Sequence, residues 1–229
     1  MNPPADRRTV STSIPQRQSE GRAETRRLFI AIELPEAWKQ ALQALQDRMQ
    51  AALTTDPRTK GVRVRWVRPE GIHLTLKFLG EVPAGRLDAI ERALASAVPQ
   101  APGFQLALFS VGSFSDRRAP RVIWAGIAET PPGSQQAQHT ELFRLVEQVE
   151  TWLAAAGFPR ERRSFAPHLT LARLPEDLSP PLREAVAAVT NAFNASDAPA
   201  FTVDRVSLMR SHLGPGGARY ERLSAYPPV

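Results

Sequence analysis

Apolar positions along this chain follow two rhythms, one repeating every two residues and one every three or four. The run Arg27-Leu28-Phe29-Ile30-Ala31-Ile32-Glu33 is compactly apolar and predicts a buried strand. Leu34-Pro35-Glu36 then opens a helix, with Pro35 near the first turn, where a missing N–H costs nothing. Trp38, Leu42, Leu45, Met49 and Leu53 recur at helical spacing and predict a helix over about 36–53 with one apolar stripe. Val62, Val64 and Trp66 alternate with Arg63 and Arg65, a half-buried strand pattern. After Pro69-Glu70-Gly71, the segment from His73 to Leu79 alternates again, and Gly80 is expected to stop it. Further helices are predicted near 84–98, 139–156 (closed by Gly157) and 180–193. Strands are predicted near 104–110, 121–127, 168–173, 201–209 and 219–224, with Thr130-Pro131-Pro132-Gly133-Ser134 as a loop. About eight strands thus interleave with four helices. Alternation within the strands predicts antiparallel sheets with one side not buried, an α+β fold.

Residues 1–26 break the rhythm. They are rich in Pro, Ser, Arg and Gln, cannot bury enough surface to offset ordering entropy, and are expected to form a disordered basic tail before a single domain at 27–229. No run approaches the roughly 18 apolar residues of a membrane helix, and the first 26 residues hold no apolar core of a signal peptide. Absence of cysteine excludes disulfides, thiolate catalysis and cysteine-ligated metals. A cytoplasmic monomer without membrane contact is the expectation. The net charge is +6, from 29 basic and 23 acidic residues. Five arginines against three acids put +2 of it in the first 26 residues, leaving +4 for the domain. Such a balance suits a polyanionic partner such as RNA without deciding for one.

The chemistry lies in a repeat. Two of the four histidines, His73 and His168, each begin the tetrapeptide His-Leu-Thr-Leu, and each follows a turn containing proline. Strand alternation places His73 with Thr75, and His168 with Thr170, on one face, while the leucines between them point to the core. Each copy therefore presents an imidazole beside a hydroxyl. Histidine titrates near neutral pH, so one ring can accept a proton while its partner donates one across a phosphate. The threonine hydroxyls would donate to the non-bridging oxygens, where charge accumulates. No third ligand clusters with the histidines as a metal site requires, and no Gly-x-Ser-x-Gly supports a serine triad, so a reaction without metal or cofactor is expected.

With these motifs the sequence resembles the 2H phosphoesterase superfamily, and within it the bacterial and archaeal RNA 2′,3′-cyclic phosphodiesterases, historically called 2′-5′ RNA ligases. The landmarks are RLFIAIELP from Arg27, RWVRPEGIHLTLKFLGEV from Arg65, PRVIWAGI from Pro120, RRSFAPHLTLAR from Arg162, and the closing stretch from Val206 to Tyr220. The resemblance covers about residues 27–227. It implies a bilobal fold of two antiparallel sheets around a cleft with helices outside. It also implies hydrolysis of RNA 2′,3′-cyclic phosphate ends to 2′-phosphomonoesters, with reverse 2′-5′ ligation of RNA ends as a further implied activity. By the motif match His73 would be the general acid protonating the 3′ oxygen, His168 the base activating water, and Thr75 and Thr170 the phosphate ligands. Arg173 matches an arginine that follows the second motif in relatives, although simple alternation places it on the face opposite His168.

Lys77, Phe165 and Tyr220 complete the candidates: Lys77 as positive potential on the His73 face, Phe165 as a base-stacking or packing ring, Tyr220 as a residue closing the cleft or packing in a hairpin. Trp66 and Trp124 are expected in the core, and His139 and His212, without repeat partners, are left outside the site. Two other functions fit the pattern: a phosphodiesterase for small cyclic nucleotides or 2′-5′ oligonucleotides, and a non-catalytic RNA- or nucleotide-binding module.

Overall fold

The chain pairs into two antiparallel sheets because its alternating segments have one apolar face each, and helices cover those faces. A computed structural model describes residues 24–98, 103–116, 119–130, 140–195, 197–215 and 217–227. The strands are β1 (Thr25–Glu33), β2 (Arg65–Trp66), β3 (His73–Pro83), β4 (Gln105–Asp116), β5 (Ala119–Thr130), β6 (His168–Arg173), β7 (Phe201–Thr202), β8 (Val206–Gly214) and β9 (Gly217–Tyr226). The helices are α1 (Glu36–Thr55), α2 (Leu87–Ala97), α3 (Glu141–Ala155) and α4 (Pro180–Thr190). One sheet runs β3-β1-β8-β9, the other β2-β6-β5-β4-β7. Helices α2 and α3 pack on the first and α4 on the second, where α1 also meets β6 through Gln46 and β7 through Trp38. The α+β expectation holds, and no described helix is long and apolar enough to cross a membrane.

Local sequence explains the helices. The α1 stripe of Trp38, Leu42, Leu45, Met49 and Leu53 is buried along its whole length. Helix α3 begins after Thr140, whose side chain makes no cap; the Glu129 carboxylate accepts the N–H of Leu142 instead, at 3.1 Å. Its end is closed by Gly157 at φ +83°, with the N–H of Phe158 bonded back to the carbonyl of Leu153 at 2.9 Å.

Several boundaries differ from the sequence expectation. Of residues 1–26, 1–23 lie outside the described residues, whereas Thr25 and Arg26 already pair with Pro83 and Val82 in β1. His139 and the loop at 131–134 also lie outside them. Residues 62–66 alternate in burial, yet only Arg65 and Trp66 find a partner strand. Helix α2 is preceded by a 3₁₀ turn at Ala84–Arg86, and α4 ends at Thr190. Gly80 does not stop β3; at φ +72° it carries the strand through an irregularity to Pro83. The expected strand 201–209 is two strands in two sheets, since β7 pairs with β4 and β8 with β1. Hydrophobic pattern reports which face is buried, and both pieces bury a face, so the switch between sheets left no mark in it.

Candidate active site

The motif strands β3 and β6 belong to different sheets but approach one another. Their local structures match residue by residue. In β3, His73 and Thr75 are half-buried while Leu74 and Leu76 are buried; in β6, His168 and Thr170 are half-buried while Leu169 and Leu171 are buried. The leucines anchor the strands in the core and leave the imidazoles and hydroxyls on the side that none of the four described helices covers.

Both rings are tethered in the same way. Nδ1 of His73 lies 2.9 Å from the carbonyl oxygen of Gly71, and Nδ1 of His168 lies 2.7 Å from that of Ala166. A carbonyl can only accept, so Nδ1 carries the proton in both and donates it. Nε2 is then the nitrogen available for proton exchange.

Regular alternation ends after the threonines. Ala31 pairs with Thr75 but Ile30 with Lys77, so Leu76 is an extra residue; likewise Trp124 pairs with Thr170 but Ile123 with Ala172, so Leu171 is extra. Each insertion is a β-bulge that reverses which side the following residues face. Lys77 consequently turns to the helix side, where it is 5% exposed, and the expected sharing of a face with His73 fails. Phe78 takes the open face instead. Arg173, expected on the opposite face from His168, is turned onto the same face and is exposed.

The surroundings of the two rings differ. His73 stacks on Phe29 (centroids 4.7 Å apart, planes at 29°) and meets the edge of Tyr220 at 4.9 Å. Tyr220 comes from β9, the opposite edge of the sheet from β3, and its ring reaches the histidine across the sheet's face over Phe29, which it meets edge-on at 5.3 Å. Burial pulls the His73 imidazole from its ordinary 6.5 down to about 4, against the Gly71 carbonyl bond and the Glu33 carboxylate, which favour the proton. Glu33 pairs in register with His73, accepts from Ser207 Oγ at 2.6 Å and holds Arg222 at 3.1 Å. His168 meets Phe114 edge-on at 4.7 Å, and Phe114 in turn meets Trp124 at 5.2 Å.

Trp124 is therefore no core residue. It pairs with Thr170 on the motif face and lies over Gly112, where an added Cβ would run into its ring. Trp66 does pack partly buried against the core. Phe165 faces Phe143 of α3 at 5.4 Å and the main core, so packing rather than base stacking is its role. His212 lies on the β8–β9 hairpin, 2.8 Å from Glu221. The structure thus places His73, Thr75 and Tyr220 together on the face of one sheet, and His168, Thr170 and Arg173 on the face of the other, with β3 and β6 adjacent; Lys77 and Phe165 face the packed side. Sequence reading missed Phe29, Phe78 and Phe114, which strand alternation alone could not assign to the motif face, and the Glu33–Arg222 pair, for which the sequence carries no signal. Among the described residues no group of His, Asp or Glu side chains has the arrangement to hold a metal ion.

Comparison with known proteins gives a consistent set of relatives. The family model described as LigT like Phosphoesterase matches residues 32–124 and 133–220. An RNA 2′,3′-cyclic phosphodiesterase of Escherichia coli (strain K12) is 32% identical over 204 residues, which cover 89% of this chain and 97% of that protein. One from Geobacillus stearothermophilus is 32% identical over 199 residues, 87% of this chain, and the chain spans 56% of that relative's length. Among solved structures, E. coli LigT complexed with 3′-AMP superposes with a TM-score of 0.66 at 25% identity, covering 90% of this chain and 99% of that one. TT0787 of Thermus thermophilus does so with a TM-score of 0.60 at 25% identity, covering 88% and 97%.

Proposed function

Because the chain belongs to the LigT-like phosphoesterases, of the 2H phosphoesterase superfamily, we propose that it opens 2′,3′-cyclic phosphates at RNA ends to 2′-phosphomonoesters by two-histidine acid–base catalysis. The observation that carries this reading is the duplicated tether: both imidazoles commit Nδ1 to a backbone carbonyl two residues earlier and keep Nε2 for the substrate, with a threonine hydroxyl beside each.

In the reaction His168 takes a proton from water as the water oxygen attacks phosphorus. The bond from phosphorus to the 3′ oxygen breaks, and His73 gives that oxygen its proton, leaving the phosphate on the 2′ oxygen. Thr75 and Thr170 donate to the non-bridging oxygens, and Arg173 adds a cation on the His168 side. Burial against Phe29 and Tyr220 keeps His73 neutral at pH 7 before substrate binds. The acid role therefore requires a phosphate anion beside the ring, which raises its proton affinity on binding. Tyr220 shapes that pocket. The basic balance of the chain suits an RNA substrate.

The test uses the purified protein with excess EDTA and a short RNA ending in 2′,3′-cyclic phosphate. A 2′-phosphate product supports reaction, regiochemistry and metal independence together. A 3′-phosphate product, or none, rejects the assignment and directs attention to small cyclic nucleotides and 2′-5′ linkages.

A further inference from the structure

Two polar side chains buried behind the motif strands take no part in the chemistry. Lys77 of β3, turned to the helix side by the bulge at Leu76, commits all three of its N–H donors. Two go to the Glu150 carboxylate on α3, at 2.8 and 2.7 Å, and one to the carbonyl of Pro159 at 2.8 Å. Glu150 also accepts the backbone N–H of Glu161 at 3.3 Å. Residues 159–161 lie in the segment that leaves α3 and delivers His168. On the other side, Gln46 of α1 is 3% exposed and directs both hydrogens of Nε2 to backbone, one to the carbonyl of Val67 at 2.8 Å and one to that of Leu171 at 2.9 Å. Val67 lies in the segment that delivers His73, and Leu171 is the extra residue of the second bulge.

The two contacts mirror each other. Lys77 joins the strand of the first motif to the lead-in of the second, and Gln46 joins the strand of the second motif to the lead-in of the first. We propose that Lys77 with Glu150, and Gln46, are positioning residues: reciprocal buried cross-braces that fix the two histidine motifs relative to one another. Affinity between elements does not require them, since buried polar pairs carry a desolvation cost that well-packed apolar side chains avoid. What a fully engaged, directional donor adds is geometry. Proton transfer on both sides of one phosphate depends on that geometry, and misplacement by ~1 Å is enough to cost ~100-fold in rate. The proposal rests on the reading that both histidines act on one phosphate.

The experiment removes each brace without leaving a buried charge. Lys77→Met alone would strand the Glu150 carboxylate, so Lys77→Met/Glu150→Leu is made as a pair, with Gln46→Leu as the independent second variant. Melting temperature, kcat and KM on RNA ending in 2′,3′-cyclic phosphate are measured, together with NMR titration of the His73 and His168 rings by inorganic phosphate. The expected result is a variant that melts as the wild type does, with kcat lowered about 10- to 100-fold and KM nearly unchanged. In the wild type one phosphate shifts both rings with a single Kd; in the variants the two rings no longer share it. Folded variants of both kinds with wild-type kcat and a shared phosphate Kd overturn the proposal. If the wild type itself does not turn over this RNA, the substrate reading fails, and the phosphate titration alone decides the braces by the same criterion.

Discussion

Phe78 and Arg173 occupy equivalent places: each lies five residues beyond its motif histidine and shares that histidine's face, because one extra residue, Leu76 or Leu171, is inserted between them. The fold therefore offers an aromatic ring, 63% exposed, in one half and a guanidinium in the other. Replacing Arg173 by Gln should lower kcat/KM roughly 10- to 100-fold, the cost of a charged hydrogen bond to phosphate. Phe78→Ala should raise KM about tenfold on RNA if a base stacks there. Steady-state kinetics separate the two, and an Arg173→Gln enzyme with wild-type kcat/KM would remove Arg173 from the site.

Replacement of either His73 or His168 by Ala should lower turnover by a factor of about 10² to 10⁴, the usual contribution of a positioned acid or base. The leucines on either side of each motif threonine (Leu74 and Leu76, Leu169 and Leu171), not the histidines, anchor the strands, so melting temperature and circular dichroism should hold. A single-histidine variant that retains near-normal turnover contradicts the paired mechanism.

Titration of His73 has a definite sign. Its folded-state value, about 4, lies below the 6.5 of the unfolded chain. Between those values the unfolded state takes up a proton that the folded state refuses, so stability falls as pH drops from 6.5 to 4, by at most about 3 kcal/mol. Above pH 6.5 the ring is neutral in both states and contributes no slope. Urea denaturation at pH 7, 5.5 and 4 should show a smaller acid loss in His73→Phe than in the wild type. NMR titration with saturating phosphate should show the His73 value rising; a ring that stays near 4 in the complex would make His73 the base and His168 the acid.

Gly112→Ala should destabilise the protein by about 1–3 kcal/mol, since its Cβ would collide with the Trp124 ring and push on the partner of Thr170. Thermal denaturation reads the loss. A variant as stable as the wild type would mean that Trp124 can swing aside at no cost.

The repeated tetrapeptide made the core of the site legible in the sequence, because strand alternation is a local property and each copy carries its own. Alternation from His73 to Thr75 and from His168 to Thr170 is what the structure shows. The same rule misled beyond the threonines. It put Lys77 on the open face and Arg173 on the buried one, and both are reversed by bulges that no residue type in Leu76 or Leu171 announces. It also put Trp124 in the core, since a tryptophan in an apolar run reads the same whether a helix or an open face lies above it.

By itself the sequence determined the amphipathic helices, the buried faces of the strands and the four motif side chains, all of which follow from spacing between near neighbours. Only tertiary structure decided which sheet each strand joined, where one extra residue reversed a face, and that Tyr220 reaches His73 from the far edge of the sheet. Those outcomes depend on register against a partner strand far away in the chain, and register is settled by packing between segments rather than within one.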